Sequence, residues 1–172
     1  MSPAKRSPAP SLPLAVWLGI LLLRLWVGAF FVYSARFKWD LGLSHFVEVE
    51  WPHILEGGID DPPSVFGWRL DFYADFLRDV MLPNGSVLGP IVLVAETALG
   101  VSLVFGIGVR LIAFLGFLMM TCFSLAKAVF FLTVKSANWP VTIALLVLCL
   151  TAAGRYGGLD ALLRRRLPRW VS

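Results

Sequence analysis

The sequence predicts an all-α integral membrane protein: a four-helix bundle with an extracytoplasmic amphipathic helix between the first and second spans. Three observations predict it. Apolar residues make up 58% of the 172-residue chain and charged residues only 15%, far from the balance of a soluble domain. Four apolar runs stand apart along it. Nine of the eleven acidic residues are crowded between the first two runs, from Asp40 to Asp79. The whole of 1–172 reads as a single membrane domain.

The spans are expected at about 12–37, 87–105, 109–134 and 139–153. A helix needs roughly 20 apolar residues to cross the hydrocarbon core, and fewer where its ends are buried or interfacial. The first three satisfy this directly. The fourth is short, but Ala152, Ala153 and Gly154 extend it and Trp139 suits an interfacial anchor. Lys5 and Arg6 ahead of the first run look like the start of a signal peptide. That run is too long for one and shows no small-x-small cleavage site, so it is expected to stay as a signal anchor.

Orientation follows from the basic residues. With four spans the two termini share one side, which holds Lys5, Arg6, Arg110, Arg155, Arg164, Arg165, Arg166 and Arg169. The other side has Arg36, Lys38, Arg69, Arg78 and Lys135 spread over much more loop. The excess places both termini in the cytoplasm. The tail "LLRRRLPRW" then fixes topology and touches anionic headgroups of the lipid bilayer, and nucleic acid is not an expected partner.

The external connection, 38–86, is the one large part outside the membrane. "EGGIDDPPS" at 56–64 is a cluster of breakers and is expected to be irregular. Beyond it Phe66, Leu70, Tyr73, Phe76, Leu77 and Val80 recur at helical spacing, with Arg69, Asp71, Asp75 and Asp79 on other faces. This predicts an amphipathic helix from about Val65 to Met81, lying on the membrane or capping the bundle and stopped by "LPNG" at 82–85. His45 and His53, eight residues apart in the same connection, do not match a metal-site spacing, and no metal is expected.

"LLLRLW" at 21–26 places an arginine within the first span. At a rise of ~1.5 Å per residue Arg24 lies ~18 Å from Leu12, close to the bilayer midplane. A charge there costs at least ~2.5–3.5 kcal/mol on insertion scales and should point to a partner or a wet cavity. Glu96, central in the second span, and Lys127, in the outer half of the third, are the other intramembrane ionisable residues. Each has small or polar neighbours at helical spacing: Gly28 and Ala35 for Arg24, Gly89 and Gly100 for Glu96, Thr121 and Ser124 for Lys127. Such stripes let helices approach and face the bundle interior.

Arg24, Glu96 and Lys127 are therefore the candidate catalytic residues. Two cations against one carboxylate leave a positive surplus, and Arg36, Lys38 and Lys135 near the outer mouth are the candidate substrate-binding residues for an anion. The plain alternative is that Arg24 and Glu96 pair to lock two helices, while Lys127 snorkels to the interface. Cys122 and Cys149 read as small apolar fillers. There is no CxxC, no CxxCH and no P-loop, and "GIG" at 106–108 is a helix-to-helix turn.

Several ordered segments carry a resemblance. "LLLRLWVGAFFVYSARFKW" looks like the first span of the DoxX/DoxD family, with an early Arg, a Gly and a late Lys. "FYADFLRDVMLPNGSVLGPIVLVAETALGVSLVFGIGVRLIAF" continues it, with FL-x-x-V-x-LPN, a Glu in the second span and the Gly-x-x-x-Arg turn; "AAGRYGGLDALL" is similar to the family's closing motif. Together they cover most of residues 20–163. "SARFKW" departs from the pattern by lacking a glycine before the lysine, and 39–65 form a longer, more acidic loop than a minimal member needs.

The resemblance is closest to the DoxD branch associated with thiosulfate:quinone oxidoreductase, an enzyme with a DoxD-like and a DoxA-like part that oxidises thiosulfate to tetrathionate and passes electrons to membrane quinone. It implies a multi-pass protein of a bacterial or archaeal cell membrane, acting as the membrane subunit of a quinone-linked oxidoreductase. Quinone would be the electron acceptor, with no covalently bound cofactor. The family's polar positions fall on Arg24, Lys38, Glu96, Arg110, Arg155 and Asp160, the last two in a structural role. Arg24 or Lys127 would donate hydrogen bonds to a quinone headgroup, and Glu96 would accept a proton. The alternative is a non-catalytic membrane anchor or assembly subunit that holds a second protein on the extracytoplasmic side through the acidic loop. Four spans without an internal repeat give little support to a transporter.

Overall fold

The computed structural model describes residues 13–65, 68–127, 138–151, 153 and 158–160. Three helices are long and apolar enough to cross a membrane: α1 (Leu14–Leu41), α5 (Gly85–Phe105) and α6 (Val109–Ala126). A fourth apolar helix, α7 (Asn138–Thr151), is shorter. The chain is thus an all-α, multi-pass membrane protein. The far end of the third expected span, from residue 128, lies outside the described residues.

α1 packs mainly on α5, and α6 mainly on α7. The first pairing depends on two glycines. A Cβ on Gly28 would stand 3.0 Å from the backbone nitrogen of Val104, and one on Gly100 would stand 2.7 Å from that of Val32. Without side chains there, the two helices meet backbone to backbone, and their dispersion contacts replace a hydrophobic drive that lipid does not supply. Val27, Phe31, Leu99, Leu103, Ala113, Leu145 and Leu148 fill the interior between the two pairs.

At one end of the bundle α5 turns into α6 through Gly106 and Gly108, both left-handed, with φ of 72° and 58°. The chain after α7 returns to this turn. The N–H groups of Gly108 and Val109 donate to the buried Asp160 carboxylate at 2.7 and 3.0 Å, and the Asp160 N–H donates to the Gly106 carbonyl at 2.9 Å. Asp160 therefore caps α6 from across the fold, satisfying donors that no residue before α6 can reach, where the helix dipole favours an anion. Arg155, the other residue expected to tie down this end, lies outside the described residues.

The opposite end is closed by the connection between α1 and α5, which is more helical than its sequence suggests. Short α2 (Leu43–His45) runs through a π-helical turn at Phe46–Glu50 into α3 (Trp51–Asp60), so His45 and His53 stand on helix, not in a loop. The stretch expected to be irregular from Glu56 is helical up to Asp60, and the break comes only at Asp61. Packing overrides propensity here: a Cβ on Gly58 would meet the Ala126 carbonyl at 2.6 Å, so glycine lets α3 rest on the end of α6.

The expected amphipathic helix is also displaced. Ser64–Val65 pairs antiparallel with Trp68–Arg69 as β1 and β2, and α4 (Asp71–Phe76) starts six residues later than Val65. A π-helical turn at Leu77–Met81 completes it. The expected apolar face is only partly buried: Tyr73, Leu77 and Met81 join Phe46, Trp51 and Leu55 in a second core, while Phe76 and Val80, expected on the same face, are exposed with Phe72. The Trp51 indole N–H donates to the Met81 carbonyl at 3.0 Å and ties the two halves of this cap together.

Candidate functional site

The last turns of α1 carry Phe30, Phe31, Ser34 and Lys38 on one stripe, directed under the cap. Glu96 faces them from the middle of α5. The Lys38 ammonium donates to both Glu96 carboxylate oxygens, at 2.6 and 2.5 Å, and the Ser34 hydroxyl donates to Oε2 at 3.4 Å. The ring of Phe46, from the cap, lies over the ammonium at 5.3 Å from its centroid. Beside the pair, the Trp39 indole N–H donates to the Thr97 hydroxyl at 3.3 Å. Glu96 is 4% exposed, and a cation and a hydroxyl donor converge on its buried carboxylate.

The pair opens on a cavity of about 660 Å³. Glu50, His53 and Glu56 line it from the cap, Met120, Phe123 and Lys127 from α6 and its end, and Asn138 from the start of α7. Its size is that of a small-molecule site, with largely aromatic apolar walls on one side and a comparable number of polar and charged groups. Lys127 stands one residue beyond α6, outside the spanning helices. Although it keeps exposed surface, loss of water around its ammonium and then the nearby Lys38 charge push it below the usual lysine range, with Glu96 and Glu50 pulling the other way. An ammonium held in this way gives up a proton more readily than a solvated one.

Arg24 is not part of this cavity. It lies fourteen residues before Lys38 on α1, roughly 21 Å along the axis, and its guanidinium reaches the opposite end of the bundle. There Nη1 donates to the Ala153 carbonyl at 3.3 Å, and the side chain lies against Gly106, in the field of Asp160. The partner of Glu96 is thus Lys38, and an Arg24–Glu96 lock is not formed. Arg24 instead joins α1 to the junction of α5, α6 and the chain beyond α7.

The other expected residues divide. Lys38 lines the cavity; Arg36, two residues earlier on a different face, is exposed and pairs with Asp40 at 3.6 Å. Lys135 lies outside the described residues. The described lining carries three carboxylates, Glu50, Glu56 and Glu96, against two ammonium groups, so the positive surplus expected at the mouth is not found among them. The sequence reading did not single out Ser34, Phe46, Glu50 or Asn138. Ser34 was within reach, four residues before Lys38 on the same helical face; the rest depend on how the cap folds back. Among the described residues no group of three or more His, Cys, Asp or Glu is placed to hold a metal ion.

Fold and site together define a multi-pass helical membrane protein with a capped, ligand-sized cavity built around a buried ion pair. The sequence model of the DoxX family matches residues 19–129, well over half of the chain, and the chain belongs to that family. The match contains Arg24, Lys38, Glu96 and Lys127 and ends before α7 and Asp160. No curated protein and no solved structure matches the chain.

Proposed function

We propose that the chain is the membrane subunit of a quinone-linked oxidoreductase and that the capped cavity seats the quinone headgroup. The observation that carries this reading is the joining of Lys38, Glu96 and Lys127 in one cavity of about 660 Å³ with largely aromatic apolar walls on one side. Such a headgroup presents two carbonyl oxygens on an apolar ring. Ammonium groups at Lys38 and Lys127 are donors for those oxygens, and Phe30, Phe31 and Phe123 are surfaces for the ring. When bound, the quinone supplies a two-electron acceptor; the chain's part is to position it and deliver protons. Lys127 would hand over one proton and be recharged from water at the rim, while Glu96, held by Lys38 and Ser34, would take up and pass on the second. In this reading both termini are cytoplasmic, and the cap faces outward in a bacterial or archaeal membrane.

Thiosulfate as electron donor is the finer form of this proposal. Among the described residues the lining has one more carboxylate than ammonium, which disfavours a dianion, and in this proposal thiosulfate is therefore placed on a second subunit at the capped end. The alternative, a non-catalytic anchor for such a subunit, is favoured by one observation: Trp68 and Phe72 are 78% and 70% exposed on the cap. The two are separated by assaying thiosulfate-dependent reduction of a soluble quinone analogue by the purified chain, alone and with the proteins that co-purify from native membranes. Activity that needs a partner but is lost in Lys127→Gln, with the complex still assembled, supports the quinone site. Activity unchanged by that substitution leaves the anchor.

A further inference from the structure

A second pocket lies next to the first. It has a volume of about 200 Å³ and its walls include Leu55, Leu77, Val92, Met119, Cys122 and Phe123. The Tyr73 hydroxyl at its edge donates to the Cys122 carbonyl at 2.8 Å, which leaves an almost wholly apolar lining. Phe123 borders both spaces, with the ion-pair cavity on one side and this pocket on the other. α5 and α6, although joined by the turn at 106–108, share little surface, because each packs mainly on another helix. The pocket lies between these two helices and the cap, with Val92 on the α5 side and Met119 and Cys122 on the α6 side.

We propose that the ligand of the capped cavity is a long-tailed amphiphile that enters from the lipid between α5 and α6 and leaves its aliphatic tail in this second pocket, with Phe123 as the partition beside its headgroup. The inference rests on the headgroup reading given above and adds the route and the tail site. A polar headgroup alone needs only the first cavity. An aliphatic chain finds in the second an almost wholly apolar lining, adjoining the headgroup site across one aromatic ring. A tail moving from lipid into such a pocket gains little affinity, since lipid is as apolar as the pocket. The test must therefore read where the tail lies.

Cys122 reports on that position. In a Cys149→Ala chain, alkylation of Cys122 by N-ethylmaleimide is followed with tetramethyl-para-benzoquinone, with its analogue in which one methyl is extended to a decyl chain, and with decane. Fully substituted rings do not add thiols. Binding of each is read separately by quenching of tryptophan fluorescence. The expected result is that both quinones bind, but only the decyl compound slows alkylation, several-fold. Met119→Trp, which fills the pocket, should abolish that protection and leave binding of the tetramethyl compound unchanged. If both quinones bind and neither protects Cys122, the tail site is overturned while the headgroup site stands. Equal protection by decane makes the pocket a plain lipid contact and also overturns the proposal. If neither quinone binds, the headgroup reading itself fails, and this inference with it.

Discussion

Glu96 and Lys38 are the residues on which the capped end depends. Their contact is short, made of two hydrogen bonds and buried on the Glu96 side, so removing one partner leaves the other poorly solvated, a loss of up to about 3 kcal/mol, the low end for buried pairs. Glu96→Gln should lower thermal stability in detergent by that order, and the exchanged pair Lys38→Glu with Glu96→Lys should recover much of it; unfolding followed by circular dichroism reads both. Lys127 makes a prediction of opposite sign. Its ammonium is held below the usual lysine range, so the folded chain releases this proton at a lower pH than the unfolded chain does. Between those two values the unfolded state binds more protons, and stability rises with pH. Melting temperature measured from neutral pH to pH ~10 should therefore rise in the native chain relative to Lys127→Gln. A difference that stays flat or falls would contradict the placement of Lys127. At this scale the sequence identified the ionisable residues but not their pairing. Arg24 and Glu96 look like natural partners when each is counted to mid-span. The register of α1 against α5, set by the close approach of Gly28 and Gly100, brings Lys38 to Glu96 instead.

The informative elements are those of the cap. Gly58 lets α3 rest on the last carbonyls of α6, and no side chain fits there. Gly58→Val should lift the cap, at a cost of about 1–3 kcal/mol from overpacking. Amide exchange across 43–81 should accelerate while α1, α5 and α6 remain protected; hydrogen-exchange mass spectrometry checks this segment by segment. The cap is also where the sequence was least legible. Gly57, Gly58, Pro62 and Pro63 read as one breaker cluster, yet only the prolines and Asp61 break the chain, because packing on α6 holds the glycines in helix. Phe46 and Trp51 give no periodic signal through a π-helical turn, which shifts side chains off the usual helical spacing. Spans were legible for the opposite reason. In lipid the backbone must satisfy itself, so long apolar runs have one secondary structure open to them, and the described helices begin within a few residues of where those runs begin.

For the whole molecule, the two ends of the bundle have different work. The end at Gly106 is a structural junction, with Asp160 capping α6 and Arg24 bound to the Ala153 carbonyl. The capped end encloses the cavity, the ion pair and Lys127. The stretch matched by the DoxX family model carries the cavity residues of α1, α5 and α6 together with Arg24, Gly106 and Gly108 of the junction. The central claim is that this cavity binds a quinone headgroup through Lys38 and Lys127, with Glu96 positioning Lys38. The most direct test is equilibrium binding of tetramethyl-para-benzoquinone to the detergent-purified chain, compared with Lys127→Gln and with a folded Glu96→Gln at low temperature. The account predicts saturable binding weakened about tenfold or more by Lys127→Gln, the loss of one charged hydrogen bond, and weakened also by Glu96→Gln, which frees Lys38 from its position. Saturable binding that is indifferent to both substitutions, or no binding by a folded native chain, would contradict it.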